Sequence, residues 1–149
     1  MTRSDLQCFC VSEDDPRDCV HEPWSRGEFT YATNWHIIVR APRLADVDEN
    51  PKAPDTEKLF KEAVVAEWLP VPACAMPDDI DCPSCRGACC DDCDWRGKVE
   101  NLDGMDVGNA NFQQRYLAMI QGWEIAPHGP NPAWIRHCDA DGLLMPKRT

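Results

Sequence analysis

Five cysteines fall within twelve residues of this chain, in the stretch CPSCRGACCDDC at 82–93. Four of them form two C-x2-C pairs, which are Cys82 with Cys85 and Cys90 with Cys93. In such a pair both sulfurs face one ion, and backbone N–H groups at the turn point back at the thiolates. Gly87 and Gly97 lie just beyond the two pairs, where tight turns need glycine. Because four thiolates in a tetrahedral array favour zinc, the spacing predicts a zinc site made of these four cysteines.

Other interpretations of the cysteine stretch stay open on the sequence. The linker between the pairs is only four residues long, so Cys74 or Cys89 could replace one of the four ligands. An iron–sulfur cluster would use a different set with x2, x3 and x3 spacing, namely Cys82, Cys85, Cys89 and Cys93. The remaining interpretation is a group of free or disulfide-linked cysteines.

A second group of candidate metal ligands lies near the start of the chain. Its members form a C-x-C…C-x-H set, which is Cys8, Cys10, Cys19 and His21. C-x-C is a less typical metal knuckle than C-x2-C, and ordinary small buried cysteines are the alternative interpretation. The set is therefore a candidate for a second zinc site.

The sequence carries none of the common motifs of catalysis. It contains no G-x-S-x-G, no phosphate-binding glycine loop and no H-E-x-x-H, and no histidine has a glutamate two residues further on. Zinc bound by four thiolates also leaves no open position for a water molecule. We therefore expect a protein that is not an enzyme.

The charge is strongly acidic and unevenly spread. The formal net charge is −11, and residues 74–106 carry nine acidic side chains against three basic ones. Binding to DNA phosphates needs clustered Lys and Arg, which no run supplies. An acidic surface suits a basic protein partner, or mimicry of the charge of a nucleic acid, although plain solubility is the ordinary alternative. The side chains we expect at the partner surface are Asp91, Asp92, Asp94 and Trp95.

The first residues, MTRSDLQCFC, lack the apolar core of a signal peptide, and no run approaches the ~18 apolar residues of a membrane span. We therefore expect a cytoplasmic protein that does not contact a membrane. Thiols stay reduced in the cytoplasm, so the ten cysteines indicate metal before disulfides.

Alternation of apolar and polar residues predicts a β-hairpin over 28–40, EFTYATNWHIIVR, with Asn34-Trp35 at its turn and Trp35 in the place that glycine usually takes. A helix is predicted to begin near Asp55, with Leu59 and Phe60 facing the core, and to end before Pro70.

Residues 71–98 show no periodicity and form a predicted insertion. After it we expect an Asp-Gly turn at 103–104, a helix over 111–121, and three final strands in WEIAPH, AWIRHC and LLMPKR.

Two stretches resemble the bacterial replication sliding clamp. YATNWHIIVR (31–40) is similar to the clamp's A-T-D-G-H-R-L-A hairpin, and GLLMPKR (142–148) is similar to its C-terminal V-M-P-M-R ending. The helical segment FQQRYLAMI (112–120) lies between them. The chain also resembles uncharacterised phage and prophage proteins that combine this hairpin with a cysteine-rich middle and an L-M-P ending.

The resemblance implies an α+β fold. Residues 1–70 and 99–149 would form a single clamp-like domain, with an antiparallel sheet and two helices on one face. Residues 71–98 would form a small zinc-knuckle insertion, which is foreign to clamps. A single acidic domain cannot encircle DNA as a clamp ring does, so the resemblance implies fold ancestry and contact with replication or defence proteins.

These observations lead to two main hypotheses about function, and an enzyme whose site is assembled from residues that no motif reveals stays open as a third. The first is a non-catalytic zinc-binding interaction protein, encoded by a phage or mobile element, whose acidic surface inhibits a host protein of the nucleic-acid machinery as a DNA mimic or anti-CRISPR-type inhibitor. The second is a zinc-knuckle module that binds single-stranded nucleic acid directly through Trp95 and the cations Arg86, Arg96 and Lys98.

Overall fold

The computed structural model describes residues 1–13, 15, 20–61 and 67–148 of the chain. These residues contain two α-helices and eleven strands. They are α1 (Arg3–Gln7), β1 (Trp24–Arg26), β2 (Phe29–Thr33), β3 (Ile37–Pro42), β4 (Leu69–Pro70), β5 (Ile80–Asp81), β6 (Lys98–Val99), β7 (Gly104–Val107), β8 (Ala110–Gln113), α2 (Gln114–Met119), β9 (Glu124–His128), β10 (Asn131–His137) and β11 (Ala140–Leu144).

Seven of the strands form one antiparallel sheet in the order β1-β2-β3-β11-β10-β9-β4. The remaining strands form two small antiparallel pairs, β5 with β6 and β7 with β8. A mostly antiparallel sheet with two short helices confirms the predicted α+β class. None of the helices in the described residues is long and apolar enough to cross a membrane.

The large sheet is covered by apolar side chains on both faces. Neighbouring residues of a strand point to opposite sides of the sheet, so each strand contributes to both faces. In β2, Ala32 faces the main core and Tyr31 faces a second apolar cluster; in β3, Val39 and Ile38 divide in the same way. Both helices pack on the main core, through residues such as Leu6 of α1 and Leu117 of α2. The two α-helices of the described chain therefore lie on one face.

The predicted β-hairpin is confirmed, since β2 and β3 pair antiparallel from Phe29 opposite Pro42 to Thr33 opposite Ile38. Its tip consists of Asn34, Trp35 and His36, which we call the hairpin tip. Trp35 has a φ of 73°, a left-handed backbone conformation that residues other than glycine rarely adopt. The Asn34 side chain stabilises this tip, because its Oδ1 accepts hydrogen bonds from the N–H groups of His36 and Ile37, both at 3.0 Å.

The helix predicted from Asp55 is shorter than expected and covers the other face of the sheet. In the described part of this segment the helix is a short 3-10 helix, Glu57–Phe60. The expected continuation over 62–66 lies outside the described residues. Phe60 is buried in the second cluster, as expected for a core residue, but Leu59 is 49% exposed. Consecutive residues of a 3-10 helix are about 120° apart around its axis, because it has three residues per turn. Leu59 and Phe60, which were predicted to share one face, therefore point in different directions.

Arg40 joins the two central strands to this 3-10 helix. Its guanidinium makes two hydrogen bonds to the Asp141 carboxylate, at 2.8 and 3.1 Å. The same group lies 4.2 Å from the ring centre of Phe29 and 4.1 Å from that of Phe60. A charge on β3 is thus paired with β11 and covered by two aromatic rings, which fixes the second cluster against the sheet.

The three final strands are confirmed as β9, β10 and β11, although β11 ends at Leu144 and the residues after it are not strand. The predicted hairpin turn at Asp103-Gly104 is wrong. Gly104 is the first residue of β7, which pairs with β8, whereas β6 pairs back to β5 on the other side of the cysteine stretch. The helix predicted over 111–121 begins only at Gln114, because the residues before it belong to β8.

Candidate metal centre

The two C-x2-C pairs lie between the strands of a short ribbon. We call residues 80–99 the clip. Strands β5 and β6 pair at its base, and the N–H group of Cys82 donates a hydrogen bond to the Gly97 carbonyl at 2.9 Å. Each strand of this ribbon is only two residues long, and Cys82 is the first residue after β5.

Each C-x2-C pair is followed by a turn in left-handed conformation. The left-handed residues, with φ between 51° and 88°, are Arg86 and Gly87 after the first pair and Asp94, Trp95 and Gly97 after the second; Cys89, between the pairs, has a φ of 156°. Both turns are closed in the same way, because the N–H group three residues beyond Cys85 and Cys93 donates to the carbonyl of that cysteine at 3.1 Å. These turns reverse the chain so that each pair of sulfurs faces the other pair.

The four sulfur atoms of the clip converge on one point. The Sγ atoms of Cys82, Cys85, Cys90 and Cys93 all lie within 4.8 Å of one another. Three of the Sγ–Sγ distances, 82 to 90, 85 to 93 and 90 to 93, are 3.8 Å. A tetrahedron with metal–sulfur bonds of about 2.3 Å has edges of about 3.8 Å, since its edge is about 1.63 times the bond length. The four cysteines could hold a metal ion, and the spacing of the sulfurs fits zinc.

The same geometry separates the other interpretations of the cysteines. A disulfide brings two sulfurs to about 2.05 Å, so sulfurs 3.8 Å apart are not bonded, and all four cysteines are free thiols. Cys89 is exposed and is not part of the cluster, so the set with iron–sulfur spacing is not assembled. Cys74 lies elsewhere, with its sulfur 3.9 Å from the Gln114 carbonyl oxygen. Neither Cys74 nor Cys89 replaces a ligand.

The thiols of the clip differ in acidity. Hydrogen bonding with the Cys90 backbone, and then with the Gly97 N–H group at 3.2 Å, lowers the pKa of Cys93 to about 6. Burial, together with the neighbouring thiols, raises the pKa of Cys85 to about 12. Cys93 therefore ionises before Cys85, and an incoming divalent metal ion must displace a proton from Cys85.

The clip is not part of the hydrophobic core. Val71, at the start of the predicted insertion, packs in the main core, and Cys74 packs against it. The four clip cysteines belong neither to the main core nor to the second cluster. The sulfur cluster therefore forms a separate centre, built by local turns and not by the sheet.

The predicted second metal site falls partly outside the described residues, because Cys19 is not among them. Of the other three candidates, Cys8 is exposed and its sulfur lies 3.6 Å from the Ser4 carbonyl oxygen. The sulfur of Cys10 lies 3.9 Å from the Leu6 carbonyl oxygen. His21 Nε2 lies 2.6 Å from the backbone carbonyl oxygen of Asp15. This second site stays a prediction.

The expected partner residues lie at the second knuckle of the clip. Each knuckle is one C-x2-C pair with the turn that follows it, so the second consists of residues 90–97. Asp91, Asp92 and Asp94 are exposed, and within the described part of the chain none of their carboxylates forms an ion pair. Trp95 is 65% exposed and has a φ of 61°, and its N–H group donates to the Cys90 carbonyl at 2.9 Å. The knuckle thus presents a large aromatic side chain in a fixed place among three unpaired carboxylates.

An apolar groove beside the hairpin tip was not predicted from the sequence. It is a cavity of about 180 Å³ between β3, β11 and the residues before the 3-10 helix. Trp35, Leu59 and Met145 line it and are each more than a third exposed. Thr56 also lines it, and its buried Oγ1 has no hydrogen-bond partner among the described residues. The groove joins residues distant in sequence, and only the exposed Trp35 at a turn could have indicated it.

Comparisons of the chain with protein-family models, with curated proteins and with solved structures found no match.

Proposed function

We propose that this chain is a non-catalytic zinc-binding interaction protein. The observation that supports it best is the convergence of four cysteine sulfurs within 4.8 Å of one another. Zinc bound by four thiolates has no open coordination position for water or substrate, so its role is structural. Bound metal holds the clip closed, and the side chains of the second knuckle then form a fixed surface.

The partner surface in this proposal is the acidic knuckle, made of Asp91, Asp92, Asp94 and Trp95. Charged groups of one sign attract a partner of the opposite sign, and a central aromatic side chain supplies the buried contact that charge alone does not. The net charge of −11 favours a basic partner over DNA. We propose a host protein of the nucleic-acid machinery, whose basic groove the knuckle occupies, which is the role that the resemblance to phage proteins suggests.

The test is capture of partners from a bacterial lysate by the zinc-loaded chain at about 50 mM and about 500 mM salt. We expect a basic nucleic-acid-binding protein to be captured at low salt and released at high salt. A variant with Asp91, Asp92 and Asp94 all changed to Asn should lose it. A control with the same change of charge elsewhere, Glu28→Gln with Asp46→Asn and Asp48→Asn, should retain it. Capture of no basic protein at low salt would overturn this choice of partner.

The alternative function is direct binding of single-stranded nucleic acid at the same knuckle. Trp95 offers a stacking face, and Arg86 and Arg96 are exposed beside it. Lys98, the third cation, has its Nζ 2.5 Å from the Asp81 carboxylate. Arg86 and Arg96, which form no ion pair with the residues that the structure describes, are left to contact a phosphate backbone. Fluorescence anisotropy with labelled single strands distinguishes the two functions. Binding in the micromolar range that Arg96→Ala abolishes would favour nucleic acid.

The apolar groove is a second surface for protein contact in this proposal. Both stretches that resemble the sliding clamp contribute to the groove: 31–40 lines it through the hairpin tip and β3, and 142–148 lines it through the end of β11 and Met145. Its volume of about 180 Å³ suits one or two apolar side chains of an extended peptide segment.

Partner capture with Met145→Glu tests the groove, because a carboxylate there opposes the entry of an apolar side chain. The matched control is Met76→Glu, since Met76 is 54% exposed and does not line the groove. We expect Met145→Glu alone to remove a subset of the captured proteins. Identical capture by both variants would exclude the groove as a contact surface.

A further inference from the structure

Helix α2 holds both chain segments that lead into and out of the clip. On the entering side, Gln114 Nε2 of α2 donates to the Ala75 carbonyl at 3.1 Å, and Gln121 Nε2, two residues beyond the end of α2, donates to the Pro72 carbonyl at 3.0 Å. On the leaving side, the N–H group of Gln114 donates to the Asp103 carbonyl at 2.9 Å. The position of α2 therefore depends on how these two segments lie.

Arg115 of α2 makes the closest link to the clip. It forms an ion pair with Glu100, the residue that directly follows β6. The Arg115 side chain is 25% exposed, and its buried Nε has no hydrogen-bond partner among the described residues. Glu100 raises the pKa of the Arg115 guanidinium, and Asp79, just before β5, adds to this. Among the described residues Glu100 is the ion-pair partner of Arg115, so a displacement of Glu100 removes the contact that holds the guanidinium in place.

The next residue of α2 contacts the hairpin tip on the other side. The Arg115 guanidinium lies 5.6 Å from the ring centre of Tyr116. Tyr116 stacks on His36, with ring centres 5.3 Å apart and an angle of 18° between the planes. The His36 carbonyl accepts a hydrogen bond from the N–H group of Met145 at 2.9 Å. One set of contacts thus runs from the end of the clip through α2 to the hairpin tip and the groove.

We propose that metal occupancy of the clip is coupled to the conformation of the hairpin tip through Glu100, Arg115, Tyr116 and His36. The clip is the two-state element, because its two-residue strands cannot hold four thiols together once the metal is removed. When it opens, Glu100 leaves its place, and Arg115 and Tyr116 follow. This coupling rests on the proposed metal site and makes the metal a regulator of the groove as well as a structural ion.

The experiment follows the ring signals of His36 by NMR in the full chain labelled on histidine, with His36→Gln used for assignment. Zinc is removed with a chelator at constant pH and then restored. We expect the His36 signals to shift reversibly with zinc in the wild-type chain. In Glu100→Gln, which keeps all four cysteines, the shift should fall below about half of the wild-type value.

Glu124→Gln is the matched control, because Glu124 is an exposed glutamate on β9 that accepts a hydrogen bond from Arg136 Nε at 2.8 Å. It removes the same charge and an equivalent ion pair, and its His36 shift should equal that of the wild type. A wild-type chain that binds no zinc would contradict the proposed function itself. A chain that binds zinc without any response of His36, or an undiminished response in Glu100→Gln, would overturn the coupling alone.

Discussion

Gly97 lies where the second knuckle of the clip packs against the backbone of the first. Its φ is +73°, and a Cβ placed there would lie 2.7 Å from the Gly87 carbonyl oxygen. Real Cβ atoms do not approach backbone oxygen so closely, and neither atom belongs to a flexible side chain. Its N–H group also donates to the Cys93 sulfur at 3.2 Å. Glycine is therefore needed both for the turn and for the contact between the knuckles.

We predict that Gly97→Ala lowers the zinc affinity of the chain by about tenfold or more, or about 1.4 kcal/mol, because the added methyl group forces the knuckles apart. Competition with a chromophoric chelator measures the affinity. Gly122→Ala is the control, since Gly122 also has a positive φ, of 84°, but has nothing within 4 Å of its added Cβ. It tests whether an alanine at a positive φ lowers the zinc affinity when it lies outside the clip. Equal zinc affinities in wild type and Gly97→Ala would show that the knuckles do not touch in the metal-bound state.

Thiol reactivity gives a second prediction at the residue scale. Burial raises the pKa of Cys10 to about 12, so its reactive thiolate is scarce at pH 8. Cys8, Cys89 and Cys138 are exposed. In the zinc-loaded chain we expect iodoacetamide to modify these three first, Cys10 much more slowly, and the four clip cysteines only after a chelator is added. Mass spectrometry of the digested chain reads the order, and early labelling of Cys82 or Cys93 with zinc present would argue against ligation.

The large sheet is stabilised by two clusters of buried apolar side chains, whereas the clip contributes to neither cluster. The strands of the large sheet bury side chains on both faces, whereas β5 and β6 contribute two residues each and no member of either apolar cluster. Burial of apolar surface is the main stabilising term in folding, so the sheet does not need the metal. The clip does, because local turns and one short ribbon do not offset the entropy of ordering it.

We therefore predict that Cys82→Ser combined with Cys85→Ser abolishes zinc binding at the clip but retains a cooperative thermal transition. Hydrogen exchange should become faster over 71–98 and stay slow in β3 and β11. Exchange followed by mass spectrometry resolves these segments. Global unfolding of the double variant would mean that the clip contributes to the core.

Local patterns predicted the elements of this fold better than their ends and pairings. The hairpin and the final strands were predictable because alternating apolar residues report directly on a half-buried strand. The Asp103-Gly104 turn was not, because β6 pairs with β5 across the cysteine stretch, a contact that no local pattern encodes. Helix α1 was missed, since its five residues bury only Leu6 and are too few to show a period. The four clip cysteines were predicted because their spacing itself defines the site.

At the scale of the whole molecule, two candidate partner surfaces are joined by one short helix. The acidic knuckle lies on the clip, and the apolar groove lies beside the hairpin tip. Neither surface was fully predictable, because the groove collects residues as distant as Trp35, Leu59 and Met145. Helix α2 contacts both the ends of the clip and the hairpin tip, which the sequence shows only as a helical segment. In the proposed coupling, this arrangement is the route by which a metal ion bound outside the core acts on the rest of the molecule.

The most direct test of this account is the zinc content of purified wild-type chain and of the Cys82→Ser, Cys85→Ser double variant, measured side by side by elemental analysis. The account predicts that the double variant contains one zinc ion per chain less than the wild type, whether or not the N-terminal cysteines bind a second ion. The X-ray absorption of the zinc that is lost should fit four sulfur ligands at about 2.3 Å. Equal zinc content in the two proteins would contradict the account.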